Sequence, residues 1–476
     1  MDKNDITVVT ITDMNQDGEG IGKVDGYTLF IKDTVIGDVA EVKVIKAKKS
    51  YGYARLIRLI KASGKRVIPR CPVARQCGGC QLQAYEYGEQ LIFKENKVKN
   101  NLERIGGLSG FSCERIIGME NPWRYRNKAQ FPVGRDREGR LVTGFYAGRT
   151  HTIIACADCA LGVEENAQIL DIVKKFMEEY GIEPYCEERH TGLVRHVLIR
   201  KGFHSGQLMV CIVINGRRLS HGEELAVRLK ALPGMRSITI SPNEERTNVI
   251  LGKEICVIWG EETIEDRIGD VWFELSPLSF FQVNPVQTEK LYGKALEYAG
   301  LTGEEIVWDL YCGIGTISLF LAKRAKKVYG VEIVPAAIEN AKRNAQKNGL
   351  ANTEFFVGRA EEVLPAWYAQ NGEHADVIVV DPPRKGCDET LLRTMAEMQP
   401  ERIVYVSCDS ATLARDVRIL AGMGYEMQRV QPVDMFPWTV AIETVCLLSN
   451  RKSKPDTHVK LSLSMDDYYR IKDEVL

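Results

Sequence analysis

The chain has 476 residues, too many for one comfortable hydrophobic core, so two or three domains are expected. Its 45% apolar and 27% charged content argues against disorder, and no apolar run is long enough to cross a bilayer. The start, MDKNDITVVT, is polar and reads as neither signal peptide nor lipid anchor, so a cytoplasmic protein is expected.

The first sixty or so residues alternate apolar and polar at period two. ITVVTIT, a Gly-rich bend, GYTLFIK, a turn at Ile36-Gly37-Asp38, VAEVKVIKAK and YGYARLIRLI follow one another. This predicts a small antiparallel barrel over 1–62. Net charge is −1, yet from Lys43 to Arg70 every ionised side chain is basic. Such a run attracts phosphates through a local field, or simply solubilises an edge strand.

Cys71, Cys77 and Cys80 follow in the pattern C-x5-C-G-G-C, too tight for accidental core cysteines. Thiol chemistry allows zinc or an iron–sulfur centre, each taking a fourth ligand from Cys159 or Cys156 in ACADC. A helix is predicted from about 85 to 102, then short strands with helices near 164–180 and 222–231. Together, 63–274 form an expected α+β central domain.

From 275 to 450 helices alternate with short apolar strands: EIVWDLY, KVYGVE, EFFVG, ADVIVVD, RIVYVSC and TVCLL. That alternation predicts a Rossmann-like α/β domain with a mainly parallel sheet covered on both faces. A tail of 451–476 follows.

Three elements of this last domain suit S-adenosylmethionine (SAM). Asp309-Leu-Tyr-Cys-Gly-Ile-Gly gives a Gly-rich turn after a first strand. Glu332 ends the next strand, where a carboxylate can bind ribose hydroxyls. Asp381-Pro-Pro-Arg384 caps a later strand at the same edge. The G-x-G-x-x-G spacing of a dinucleotide site is missing. Cys408 ends RIVYVSC just before a helix start, a place expected to lower a thiol's pKa. Glu443 stands ahead of the last strand. A thiol and a carboxylate beside such a pocket suit methylation of a pyrimidine carbon 5. The thiolate adds to carbon 6, and a base later removes the carbon-5 proton.

With FFQVNP at 280–285, DLYCGIGTISL at 309–319, DPPRKG at 381–386, IVYVSCDSATLARD at 403–416 and DMFPWTVAIETV at 434–445, the chain resembles the RNA uridine-5-methyltransferases of the TrmA/RumA type over essentially its whole length. The resemblance implies Cys408 as nucleophile and Glu443 as base. It implies SAM contacts from Gln282, Tyr311, Glu332 and Asp381. It also implies a [4Fe-4S] cluster on Cys71, Cys77, Cys80 and Cys159, with Cys156 as runner-up. The barrel resembles a TRAM domain, whose stacking aromatics here would be Tyr51 and Tyr53. The segments 123–128 and 190–196 resemble stretches that face RNA, and Phe280 or Phe281 would stack on the target base. The expected target is ribosomal RNA (23S). The alternatives are the T-loop uridine of tRNA and, in another class, a catalytically silent ribosome assembly factor. Two departures from the family stand out: Asp409 replaces the usual Asn, and Trp438, Val440 and Ala441 occupy a stretch often rich in histidine.

Overall fold

The computed structural model describes residues 1–148 and 150–451. The chain opens with a closed barrel of β1 (Ile6–Met14), β2 (Gly20–Val24), β3 (Tyr27–Lys32), β4 (Val39–Ala47) and β5 (Tyr51–Lys61). Period-two alternation turns Val9, Ile11, Leu29, Ile31, Val42 and Val44 into its core. The expected Gly-rich bend contains β2, whose glycines hide the alternation. Gly22 lies so close to β1 that a Cβ there would meet Val9 Cγ2 at 2.3 Å. The barrel is not wholly antiparallel, because β3 and β5 run parallel. A closed ring with an odd number of strands cannot alternate direction throughout, so one neighbouring pair must agree.

Helix α1 (Tyr87–Arg104) and the short β6 (Ser112–Cys113) lead into a second sheet. Its strands are β7 (Lys128–Arg135), β8 (Leu141–Tyr146), β9 (Ile153–Ala155), β10 (Val194–Lys201), β11 (Leu208–Ile214), β12 (Met235–Pro242) and β13 (Cys256–Gly260). Their order is β13-β12-β11-β10-β7-β8-β9. Helices α2 (Glu165–Glu179) and α3 (Gly222–Leu229) bring Ile169, Val173, Phe176 and Leu225 onto Val197, Ile199 and Val210. Burial of such aliphatic and aromatic side chains stabilises by about 1.5–3 kcal/mol each. Arg195 and His196, expected to face RNA, are instead buried in β10. Arg195 donates to the carbonyls of Asn243 and Glu245. From the other face, Leu198, Met209 and Cys211 join the core formed by hairpin β14 (Ile264–Ile268) and β15 (Val271–Leu275).

The remaining chain supplies α4 (Pro285–Ala299), β16 (Ile306–Leu310), α5 (Thr316–Ala322), β17 (Lys327–Glu332), α6 (Pro335–Lys347), β18 (Thr353–Val357) and α7 (Ala360–Asn371). It continues through β19 (Val377–Val380), α8 (Glu389–Glu397), β20 (Arg402–Ser407), α9 (Ser410–Gly422), β21 (Tyr425–Val433) and β22 (Glu443–Asn450). The sheet order is β18-β17-β16-β19-β20-β22-β21-β6. The strands from β18 to β20 are parallel, and β22 runs antiparallel to both its neighbours. Separate hydrophobic clusters cover the two faces. β21 was not expected, because Gln428, Arg429 and Gln431 break its apolar pattern. The order reverses between β16 and β19, and ligands of open α/β sheets bind at such a crevice. Of the expected tail, 452–476 lie outside the described residues. No helix among the described residues is long and apolar enough to cross a membrane.

Candidate active site

A cavity of about 1080 Å³ opens at the carboxyl ends of β16, β17, β19 and β20. Gln282, Tyr311, Glu332, Asp381, Cys408 and Glu443 all line it. Residues expected from six separate stretches of sequence therefore share one pocket.

The Gly-rich turn after β16 begins with Tyr311 at φ 67, a left-handed conformation that costs energy for a non-glycine residue and tends to persist at functional sites. Glu332 ties this turn to the next strand, accepting from Gly313 N at 3.2 Å and Val334 N at 3.0 Å. Gln282 is buried, and its carbonyl accepts from Asn127 Nδ2. Two residues further on, Asn284 caps α4 and donates to Met435 O, which locks FFQVNP against the segment before Glu443. Phe281 does not reach the pocket. It is 2% exposed and packs on Phe273 in the core, so it cannot stack on a base. Phe280 is 67% exposed and lines the cavity.

Asp309 lines the pocket as well, a residue that sequence reasoning quoted without assigning it a role. Ser318 Oγ donates to Asp309 Oδ2, while the buried Oδ1 has no hydrogen-bond partner. Burial, with help from the nearby Asp381 and Glu332 carboxylates, raises its pKa to about 7. Burial alone raises Asp381 to about 7. Asp309, Glu332, Asp381 and Glu443 line the cavity together with the basic Arg126, Arg359, Arg384, Lys385 and Arg415. Orphaned and desolvated carboxylates of this kind favour a cationic ligand. The ammonium and sulfonium charges of SAM fit that requirement.

Ser407 of β20 pairs with Thr444 of β22 in antiparallel register. Cys408 follows Ser407 and Glu443 precedes Thr444, and the Glu443 carboxyl lies near enough to the Cys408 thiol to raise it. The half-buried Cys408 thiol is not activated as expected: its pKa rises to about 11. Burial is the main cause, Glu443 and Asp381 add to it, and Arg384 opposes. The helix-terminal amides that could have favoured the thiolate are already engaged. Asp409 caps α9, accepting from Ala411 N and Thr412 N, a role the usual Asn would also fill. Glu443 is 4% exposed, and burial pushes its carboxyl well above the ordinary range, with Asp381 adding to the shift.

Trp438 stacks on Trp123 at 4.2 Å and donates from Nε1 to Pro122 O. This wedges the segment before Glu443 against the cysteine-rich region. Cys80 and Cys159 pack on the same Tyr125–Leu161–Trp438 cluster. Cys71, Cys77, Cys80 and Cys156 each feel the charge of Cys159, and burial is the main cause that raises all four thiols. Even so, among the described residues no three His, Cys, Asp or Glu side chains form a group able to hold a single metal ion.

The fold and the pocket define a SAM-dependent methyltransferase. Residues 205–451 match the family model described as tRNA (Uracil-5-)-methyltransferase, and residues 5–57 match the TRAM domain. The chain belongs to this family of RNA uracil-5-methyltransferases. It is 55% identical to an uncharacterized RNA methyltransferase of Halalkalibacterium halodurans, over 94% of this chain and 98% of that one. A similarly named protein of Clostridium tetani is 49% identical over 94% and 97%. Among solved structures, the Pyrococcus abyssi tRNA (uracil-54, C5)-methyltransferase in complex with S-adenosyl-L-homocysteine superposes with a TM-score of 0.75. It is 29% identical and covers 93% of this chain and 99% of that one.

Proposed function

We propose that this protein methylates carbon 5 of a uridine in 23S ribosomal RNA, with Cys408 as nucleophile and Glu443 as the base. The observation that carries the reading is that Cys408 and Glu443 line one pocket, with the Glu443 carboxyl near enough to the Cys408 thiol to raise it. Gln282, Tyr311, Glu332 and Asp381 would hold SAM, and Asp309, whose Oδ1 has no partner within the chain, would accept from its ammonium group. Bound SAM supplies an electrophilic methyl group on a sulfonium centre. Arg384 favours the Cys408 thiolate, whose sulfur bonds to carbon 6 and makes carbon 5 nucleophilic. Once carbon 5 carries the methyl group, Glu443 takes its proton. The Sγ–carbon 6 bond then breaks, and the thiolate is restored.

For a base within folded RNA to reach this pocket it must leave its stack, and the exposed Phe280 is the side chain placed to stack on it. RNA docking is assigned to the barrel, where the rings of Phe30, Tyr51 and Tyr53 lie 5.6–6.0 Å apart. Lys32 shares β3 with Phe30, and Lys46 of β4 pairs with Tyr53. Aromatic platforms with basic neighbours bind unpaired nucleotides. We assign Cys71, Cys77, Cys80 and Cys159 to a [4Fe-4S] cluster. Cys159 is the fourth thiol that the family resemblance implies; it lies near the other three, and Cys156 lies beside Cys71 and Cys77 as well. A polynuclear cluster spreads its thiolates over several irons, so it needs no tight grouping around one ion. The cluster has no electron to move in methyl transfer, and its assigned role is structural.

A tRNA target is the second reading, favoured by the likeness to the Pyrococcus abyssi enzyme. The deciding experiment maps 5-methyluridine in ribosomal and transfer RNA from cells lacking the protein. Loss confined to tRNA would reject the ribosomal assignment, and loss from neither would reject the activity in cells. A silent assembly factor is tested by Cys408→Ala, which should abolish product but would leave a pure binder's cellular effect intact.

A further inference from the structure

Helix α1 precedes the SAM-binding fold by nearly two hundred residues in sequence, yet packs on α9. Its buried face is unusual: Gln90, Lys94 and Asn101 stand among the apolar Val98 and Leu102. With Lys97 these residues follow helical spacing (90, 94, 97, 101) and form one stripe. Every polar group on that stripe reaches a specific partner. Gln90 Oε1 accepts from Trp438 N at 3.1 Å. Lys94 Nζ donates to Asp434 Oδ1 at 2.5 Å and Phe436 O at 3.0 Å, in a pair whose side chains are both 0% exposed. Lys97 Nζ donates to Val440 O at 3.1 Å. At the far end, Asn101 Nδ2 donates to Ser410 Oγ at 2.8 Å and its Oδ1 accepts from Gln16 Nε2 of the β1–β2 bend.

The partners fall into two groups. Asp434, Phe436, Trp438 and Val440 belong to the segment that delivers Glu443. Ser410 is the first residue of α9, two positions after Cys408. A buried polar stripe adds little net stability compared with an apolar one, but its hydrogen bonds fix geometry. We propose that α1 is a positioning element that sets the placement of Glu443 against Cys408. One arm (Gln90, Lys94, Lys97) holds the base segment, and a second (Asn101) holds the start of the nucleophile's helix. None of these side chains lines the pocket, so they act through the residues they hold. The idea rests on the proposed roles of Cys408 and Glu443.

The two arms should affect different chemical steps. RNA carrying 5-fluorouridine at the target lets Cys408 add and carbon 5 accept the methyl group, but has no proton for Glu443 to remove. Its rate of covalent trapping therefore reads the nucleophile without the base, whereas turnover on ordinary RNA reads both. Gln90→Met, a near-isosteric neutral change, and Lys97→Met, at a half-buried position, test the first arm. Asn101→Ala tests the second. Because small misplacements cost up to ~100-fold, the first-arm variants should lose roughly tenfold or more in turnover while trapping changes less than about threefold. Asn101→Ala should slow trapping and turnover alike. SAM affinity should stay within about twofold in all three, which separates misplacement from general unfolding. Equal losses in both assays for the first-arm variants, or no loss in either, would overturn the proposal. If Gln90→Met fails to fold, Lys97→Met alone decides. A wild-type protein that forms product but no adduct would instead bring down the Cys408 reading itself.

Discussion

The Arg384 guanidinium lies close enough to Cys408 to favour its thiolate, against the opposing pressures of burial and the Glu443 and Asp381 carboxyls. Cys408 is therefore a thiol rather than a thiolate at neutral pH. A raised thiol pKa means that the reactive form is scarce at neutral pH and grows as pH rises toward about 11. Site-resolved alkylation of Cys408 should still be climbing well beyond about pH 8.5, where an ordinary cysteine is half ionised. Arg384→Gln should push that climb to higher pH. A cationic SAM analogue in the pocket should pull it lower, whereas neutral S-adenosylhomocysteine should shift it less. A plateau near neutrality would contradict the geometry.

Glu443→Gln should leave Cys408 able to add and carbon 5 able to take the methyl group, but with no base to finish. Turnover should fall by about 10²–10⁴-fold. A protein–RNA adduct should accumulate on ordinary uridine substrate, visible as a shifted band on a denaturing gel. Cys408→Ala should give neither product nor band.

Stability should depend on pH through Asp381. Its folded-state pKa is about 7 against an ordinary 3.8, so across that interval the folded state keeps a proton that the unfolded chain has released. The stability contributed by the neutral carboxyl is complete below the ordinary value and is lost as pH rises through about 7. Glu443, raised in the same direction, adds to the trend. Asp381→Asn, neutral throughout, should gain in melting temperature over the wild type between about pH 5 and about pH 8. A difference that stays flat or shrinks would refute this.

Adjacent phenylalanines should behave oppositely. Phe281→Ala opens a cavity beside Phe273 and should cost about 3–5 kcal/mol in denaturant unfolding. Phe280→Ala should change stability by less than about 0.5 kcal/mol while raising KM for RNA or lowering kcat.

Protein purified without oxygen should be brown, with broad absorbance near roughly 400 nm, and should contain iron and acid-labile sulfide. Cys80→Ser should lose both. Cys156→Ser should keep both if Cys159 is the fourth ligand. Colourless protein with stoichiometric zinc would replace the cluster assignment.

The architecture was legible wherever periodicity was clean. Fully buried strands such as Val377–Val380, and helices such as Pro335–Lys347 with its proline start, announce themselves. β2 and β21 escaped because glycines in one and polar residues in the other blur the alternation. The pocket residues were legible as types at strand ends and were expected at one sheet edge, but the strand order that brings them there was not. Which strand lies beside which depends on β22 inserting between β20 and β21, and no local pattern encodes that. Electrostatics was the least readable. The helix start beside Cys408 suggested an acidic thiol, yet burial among carboxyls outweighs it. The burial of lysine, glutamine and asparagine on α1 had no local signal, since their partners lie more than three hundred residues away.

Ser112 and Cys113 complete the catalytic sheet by pairing with Arg429 and Val430 at its outer edge. A fragment starting at about residue 275 would leave that flank of β21 bare, offering its amides and carbonyls to any neighbouring chain. The C-terminal half is therefore a poor module for transplantation. Cut loose from its upstream sequence, it should self-associate, and grafting it onto a foreign RNA-binding unit should succeed only if the graft carries residues 87–118 along.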